Sequence, residues 1–180
     1  MTTALWRRLD VPGMERCSLE RTPEGFRIGG TVLVHLDASP HEIRYSILTD
    51  ERWRTRTVGA HAQGPSADRR LALQSDGDGS WTVGGNPILD LFGATDVDLS
   101  WTPATNTLPI RRLNLAVGAS ADVSTTFVNF PGHDVARRMQ RYTRIDEREF
   151  RFESGEFAAN LFVDDEGLVT RYEGLWESVS

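Results

Sequence analysis

The feature that most constrains this chain is a period of two, interrupted by turn residues. Within residues 26–36 the run Thr31, Val32, Leu33, Val34, His35, Leu36 follows the Gly29-Gly30 pair. Such a β-branched run fits the two-residue repeat of a strand better than the 3.6-residue repeat of a helix. Residues 43–48 continue the pattern after a break at Ser39-Pro40. Arg52, Arg54 and Arg56 alternate with Trp53, Thr55 and Thr57. On a strand that spacing puts three guanidiniums on one face and Trp53 on the other. Residues 70–74 and 80–83 flank Asp76, Gly77, Asp78 and Gly79, a hairpin signal.

The C-terminal third repeats this organisation. Residues 148–153 and 157–163 flank Ser154, Gly155 and Glu156, and residues 157–163 and 168–172 flank Asp164, Asp165, Glu166 and Gly167. Loops this short join antiparallel neighbours, so the strands should form a meander in which Phe157, Ala159, Leu161 and Val163 share one face. Helical signals are few: residues 87–92 can hold one turn, and residues 132–138 can begin a short helix. About ten short strands with glycine-rich turns imply an all-β, mainly antiparallel sandwich, roll or barrel. A single strongly curved sheet over residues 1–180, as one domain, is the simplest arrangement. Residues 101–113 do not alternate and contain Pro103 and Pro109. Neither proline can donate to a sheet ladder, so this stretch is expected to be a loop or an edge segment.

Composition removes several chemistries. The 180-residue chain has no lysine, so all 20 basic residues are arginine. Schiff-base and phosphate-loop lysine chemistry is therefore excluded. A net charge of −6 argues against a nucleic-acid partner. Cys17 stands alone, which excludes an internal disulfide and a multi-cysteine metal site. No run approaches the roughly 20 apolar residues of a membrane span, and the first residues lack the apolar stretch of a signal peptide. A soluble, cytoplasmic protein without a cofactor is the expectation, and a homodimer stays open. Asp76, Asp78 and Ser80 begin like a calcium loop, but the glycine and glutamate such a loop needs are replaced by Trp81 and Pro87. His35, His41, His61 and His133 lack metal-ligand spacing, so no metal is expected. There is no Gly-x-Ser-x-Gly elbow, and no catalytic signature surrounds Cys17.

Three groups of residues remain. Asp96 and Asp98 lie two apart, so on a strand they face one side, where they could act as base and acid or pair with Arg111 and Arg112. Trp53, Trp81, Trp101 and Trp176 lie in or beside strands or loops, where an indole can line a ligand site or fill a core. Around Tyr142 cluster Arg137, Arg138, Arg141, Arg144, Arg148 and Arg151. In strand phase Arg138, Tyr142 and Arg144 share a face, which is either a solvated surface or a mouth for an anionic head group.

Residues 102–113 (Thr-Pro-Ala-Thr-Asn-Thr-Leu-Pro-Ile-Arg-Arg-Leu), preceded by Asp96-Val-Asp98, resemble the signature of the glycolipid-binding family long known as a domain of unknown function. The similarity extends to Tyr45 through Trp53, to the Asp76–Trp81 hairpin, to Gln140-Arg-Tyr142 and to the meander from Phe157 to Tyr172. It covers nearly the whole chain. Many members carry a cysteine after Gly93, where this chain has Ala94. The resemblance implies a spiral β-roll similar to bacterial lipoprotein carriers and mycobacterial glycolipid carriers, with a lipid or glycolipid held non-catalytically in its concave face. On that reading Trp53, Trp81, Trp101 and Tyr142 line the cavity and Asn106 and Thr107 bond hydroxyls. Arg111, Arg112 and Arg144 hold an anionic head group. Two alternatives are an enzyme using Asp96 and Asp98 on a small amphipathic substrate, and an interaction module presenting arginine faces to acidic partners.

Overall fold

The structure is a computed structural model that describes residues 1–36, 38–65 and 67–179. Fifteen strands are present: β1 (Thr2–Arg8), β2 (Gly13–Thr22), β3 (Gly25–Leu36), β4 (Ser39–Asp50), β5 (Thr55–Gly64), β6 (Ala67–Ser75), β7 (Trp81–Val83), β8 (Asn86–Pro87), β9 (Asp96–Leu99), β10 (Ser120–Val128), β11 (Val135–Arg144), β12 (Glu149–Ser154), β13 (Phe157–Val163), β14 (Val169–Tyr172) and β15 (Trp176–Ser178). One α-helix, α1 (Thr107–Leu113), and two 3-10 turns, Leu89–Leu91 and Ala104–Asn106, complete the described elements. All strands join one sheet in the order β8-β7-β6-β5-β4-β3-β2-β1-β15-β14-β13-β12-β11-β10-β9. Every neighbouring pair is antiparallel except β9 and β10.

This order dictates the curvature. Strands β8 and β9 are the two edges of the sheet, yet only residues 88–95 separate them in the chain. Laid flat, fifteen strands at about 4.8 Å spacing would put those edges about 67 Å apart. Eight extended residues span only about 30 Å. The sheet must therefore curl until its edges approach, and β9 does come to lie against β5. The edges remain unpaired to one another, so the sheet is an open, mainly antiparallel roll.

The alternation read from the sequence sets the inner face. Register aligns Cys17, Gly30, Tyr45 and Ala60, and beside them Leu19, Ile28, Ile47, Val58 and Leu73. Apart from Gly30 these residues are buried. A one-residue slip would turn the whole set outward, so burial fixes the register.

Four local expectations are corrected. The proline-bearing stretch is neither a loop nor an edge segment but mostly helical, in the turn Ala104–Asn106 and α1, and residues 101–110 are all buried, plugging the inside of the roll. Pro103 immediately precedes the 3-10 turn, and Pro109 is the third residue of α1, where the missing N–H has no helical partner to lose. The helix ends at Asn114, left-handed at φ 43°, whose N–H donates to Ile110 O. Trp53 and its flanking arginines do not alternate on a strand. The Asp50 carboxylate accepts the N–H groups of Arg52 and Arg54, closing a turn in which Trp53 sits at φ 65°. Residues 132–138 do not start a helix, because from Val135 onward the chain pairs with β10. Ser39 and Pro40 lie within β4, opposite Leu36 and His35, and not at the break. Pairing of β4 with β5 starts only at Glu42, so Pro40 has no ladder bond to supply on that side.

Gly79, in the β6–β7 turn, meets the connection that runs between the two sheet edges. Its O accepts the Gly93 N–H, its φ is 106°, and a Cβ on it would lie 2.9 Å from Gly93 Cα. Replacing Gly79 by alanine therefore forces both backbone strain and a backbone clash. The expected outcome is a loss of about 2 kcal/mol or more in denaturant unfolding; an unchanged midpoint would mean that the edges do not depend on this approach.

Candidate functional site

The plug and the inner faces of the C-terminal strands leave a cleft of about 250 Å³. Its polar groups include Asp98 of β9, Thr102 and Asn106 of the plug, Arg138 of β11, and the hydroxyls of Ser100 and Ser154. Its apolar walls come from β10 (Phe127), β12 (Phe152), β13 (Phe157), β14 (Tyr172) and β15 (Trp176). Strand alternation explains the set: Arg138, Gln140 and Tyr142 pair with Thr125, Val123 and Ala121, so they share the inner face.

The polar floor is held by hydrogen bonds. Gln140 Nε2 donates to Asp98 Oδ2 at 2.5 Å, and the Thr105 hydroxyl donates to Asp98 Oδ1 at 3.4 Å. Burial pushes the Asp98 carboxyl above the usual carboxylate range, against the opposing pull of those bonds and of Arg138. Tyr142 OH donates to Asn106 Oδ1 at 2.9 Å, and Asn106 Nδ2 donates to Pro103 O at 3.1 Å. Burial, reinforced by the nearby Asp98, raises the Tyr142 phenol. The Arg138 guanidinium lies 3.6 Å from the centre of the Phe127 ring. Phe152 meets Tyr142 edge-on at 5.2 Å and Tyr172 at 6.1 Å, and Phe157 leans on Tyr172 at 6.2 Å. Phe157 remains 43% exposed, which places it at the rim.

Behind the floor is a buried acid. Thr102, which lines the cleft, donates to Glu15 Oε1 at 2.8 Å, and Tyr45 OH donates to the same oxygen. Glu15 is fully buried, and its Oε2 has no partner among the described residues. Burial pushes its carboxyl up from 4.5 to about 8. The Cys17 thiol beside it is also raised by burial, and it is completely enclosed.

Of the residues expected to bind ligand, Asn106 is in this cleft and Tyr142 is one hydrogen bond behind it. Thr107 donates to Gly167 O at 2.9 Å, fixing the plug to the β13–β14 turn. Trp53 stacks on Phe26 at 4.0 Å, Trp81 donates to Ala94 O at 2.8 Å, and Trp101 packs against Phe130 and His133. All three indoles are buried. Arg111 and Arg144 line a second, polar cleft of about 370 Å³ with Glu147, Arg148, Asp164 and Asp165. The Arg144 guanidinium donates to three backbone carbonyls, Leu115, Asp146 and Glu147, and Arg111 lies 5.2 Å over Trp53. Arg112 is elsewhere, forked onto the fully buried Asp96 at 2.6 to 3.2 Å. Asp96 and Asp98 both turn toward the plug, but only Asp98 lines the cleft. No group of three or more potential metal ligands exists among the described residues.

Sequence reading placed Asp98 only in an acid/base or ion pair, raised Arg138 for an anionic mouth and Trp176 as a site or core indole without assigning either to the ligand, and did not select Phe127, Phe152, Phe157 or Tyr172. The signal was the shared face: Phe157 alternates in phase with Ala159, Leu161 and Val163. Chemically, the cleft can bond hydroxyls at its floor and cover an apolar or ring face at its walls. Among the described residues no helix is long and apolar enough to cross a membrane.

Comparison with known proteins agrees with this architecture. A DUF1089 family protein from Pseudomonas aeruginosa, known from a crystal structure, superposes with a TM-score of 0.84 at 30% identity, covering 92% of this chain and 91% of that one. A search of curated proteins finds no match. The model of the family described as "Putative glycolipid-binding" matches residues 3–178, and the chain therefore belongs to that family.

Proposed function

We propose that the chain binds a glycolipid-class amphipath in the cleft between the plug and strands β9–β15, without catalysing its conversion. The observation that carries this reading is the pairing of a buried polar floor, Asp98, Thr102 and Asn106, with aromatic walls ending at the exposed Phe157. A volume near 250 Å³ suits a polar head and the first part of a chain, not whole acyl tails. Asn106 and Asp98 bond hydroxyls, Arg138 closes one side, and the rings of Phe152, Phe157 and Tyr172 cover the apolar part. Tyr142 positions Asn106 from behind. Trp53, Trp81, Trp101 and Thr107 hold the roll and its plug in place. Arg112 holds Asp96, and this occupation supports a binding role over an Asp96–Asp98 acid/base pair.

Calorimetric titration with octyl glucoside below its micelle concentration tests the reading. We expect saturable binding at one site, weakened about tenfold or more in Asp98→Ala and in Phe157→Ala. Arg148→Ala, in the other cleft, serves as the control and should bind like the native chain. Absence of saturable binding, or equal affinity in all variants, would overturn it.

A further inference from the structure

The tip that joins β10 to β11, residues 129–134, folds over the start of the plug. The His133 ring lies 5.4 Å from the Trp101 indole, and Phe130 meets Trp101 edge-on at 6.1 Å. Phe130 also meets His41 of β4 edge-on at 5.3 Å, so the tip bridges to the N-terminal strands across the roll. Backbone bonds close the tip: the Asn129 N–H donates to Asp134 O at 2.9 Å and the His133 N–H to Asn129 O at 2.8 Å. The Phe130 N–H donates to Ser100 Oγ at 3.0 Å. Ser100 lines the cleft, so the tip is fastened to the cleft wall.

His133 is the odd group in this packing. It is only 9% exposed, yet neither Nδ1 nor Nε2 has a hydrogen-bond partner among the described residues. Such a site houses the neutral ring, because the protonated ring carries a charge and two N–H donors that nothing here accepts. The charged and titratable groups around it act the same way. Arg69 of β6 and His61 of β5 both oppose its protonation, and His61 is itself bonded to Asp68 at 2.6 Å. His41 of β4 approaches through Phe130, and Asp134 of the tip makes no hydrogen bond to the ring. Burial first, then Arg69 and His61, hold the imidazole below its ordinary value. The closed tip also keeps His133 at φ 58°, so ring packing has to offset a backbone cost as well.

We infer that the β10–β11 tip is an acid-released latch over Trp101 and the adjoining cleft wall, with His133 as its trigger. When the tip opens, the ring enters water and takes up a proton as an ordinary histidine does. Proton linkage then acts in one direction. Above about pH 6.5 the ring is neutral whether the tip is open or closed, and the closed form keeps its full advantage. As pH falls below that value the open tip binds protons that the closed tip excludes, and the opening equilibrium rises. None of this depends on what the cleft binds.

Native-state hydrogen exchange at the Asn129, Phe130 and His133 amides tests the latch, because opening breaks the bond that holds each of them. After correction for the intrinsic effect of pH on exchange, their opening equilibrium in the native chain should be about fivefold or more higher near pH 5 than near pH 7.5. Amides in the ladder between β3 and β4 should not share this rise. His133→Phe keeps a ring against Trp101 but cannot take a proton, and it should lose the rise. His133→Asn suits the left-handed backbone and gives up the ring; its tip should open more at both pH values, again without the rise. Arg69→Gln removes a facing cation and should make the rise smaller. Equal opening of the native tip at the two pH values overturns the inference. So does a rise that persists in both His133 variants, or one that spreads equally to β3 and β4.

Discussion

Replacing Glu15 by glutamine is expected to stabilise the chain above pH 8 and to flatten its stability between pH 4.5 and 8. Glu15 is fully buried, and burial raises its carboxyl from 4.5 to about 8. The sign follows from linkage. Below pH 4.5 the acid is protonated in both the folded and the unfolded chain, so its contribution is complete. Between 4.5 and 8 the unfolded chain releases the proton while the folded chain retains it, and stability falls with rising pH. Above 8 both forms are ionised and the loss is complete. A difference of this size corresponds to about 5 kcal/mol at its limit. Glutamine keeps an Oε1 that accepts from Tyr45 and Thr102, and it carries no charge. Denaturant melts of Glu15→Gln and native protein from pH 4 to 9 check this. Parallel curves for the two chains would show that Glu15 is not held neutral.

The second large effect is expected at Arg112. Its guanidinium forks onto Asp96, which is fully buried, while Arg112 itself is only partly covered. Arg112→Ala would leave a buried carboxylate without its cation, at a cost of about 3–5 kcal/mol. Arg112→Lys should recover only part of that, since an ammonium cannot make the bidentate contact. Asp96→Asn combined with Arg112→Ala should be less destabilised than Arg112→Ala alone, because the stranded charge is gone. Additive losses in that double-mutant cycle would mean the pair is not coupled.

Much of the fold was legible because it is written locally. Alternation and short turns located the hairpins at Asp76–Gly79, Ser154–Glu156 and Asp164–Gly167, and the turn at Leu89–Leu91 fell within residues 87–92. Reading failed where a side chain outcompeted the alternation. At Trp53 the Asp50 carboxylate gathers two backbone N–H groups and turns the chain. It failed again at Trp101–Ile110, whose lack of period reflects a non-local fact: the curled sheet leaves an interior that this segment enters. The two prolines that argued for a loop or an edge segment are tolerated because both sit at helix starts.

The site was partly legible for the same reason. The inward face of Phe157, Leu161 and Val163 follows from period two, but which strands meet it across the roll does not. Asn106 and Tyr142 were selected and are joined by a hydrogen bond. The arginines were selected by charge, yet Arg112 and Arg144 bind a carboxylate and backbone carbonyls within the chain. Glu15 carried a signal that went unread: alternation places it on the same face as Cys17 and Leu19, where a charged side chain stands out.

Occupancy of the cleft above Asp98 and Asn106 is tested most directly by nuclear magnetic resonance spectra recorded while octyl glucoside is added. Saturable shifts are expected at Asp98, Asn106, Phe152, Phe157 and Tyr172, all following one binding curve. Saturable shifts gathered instead at Arg111, Arg144 and Asp164, or no saturable shift at all, would contradict it.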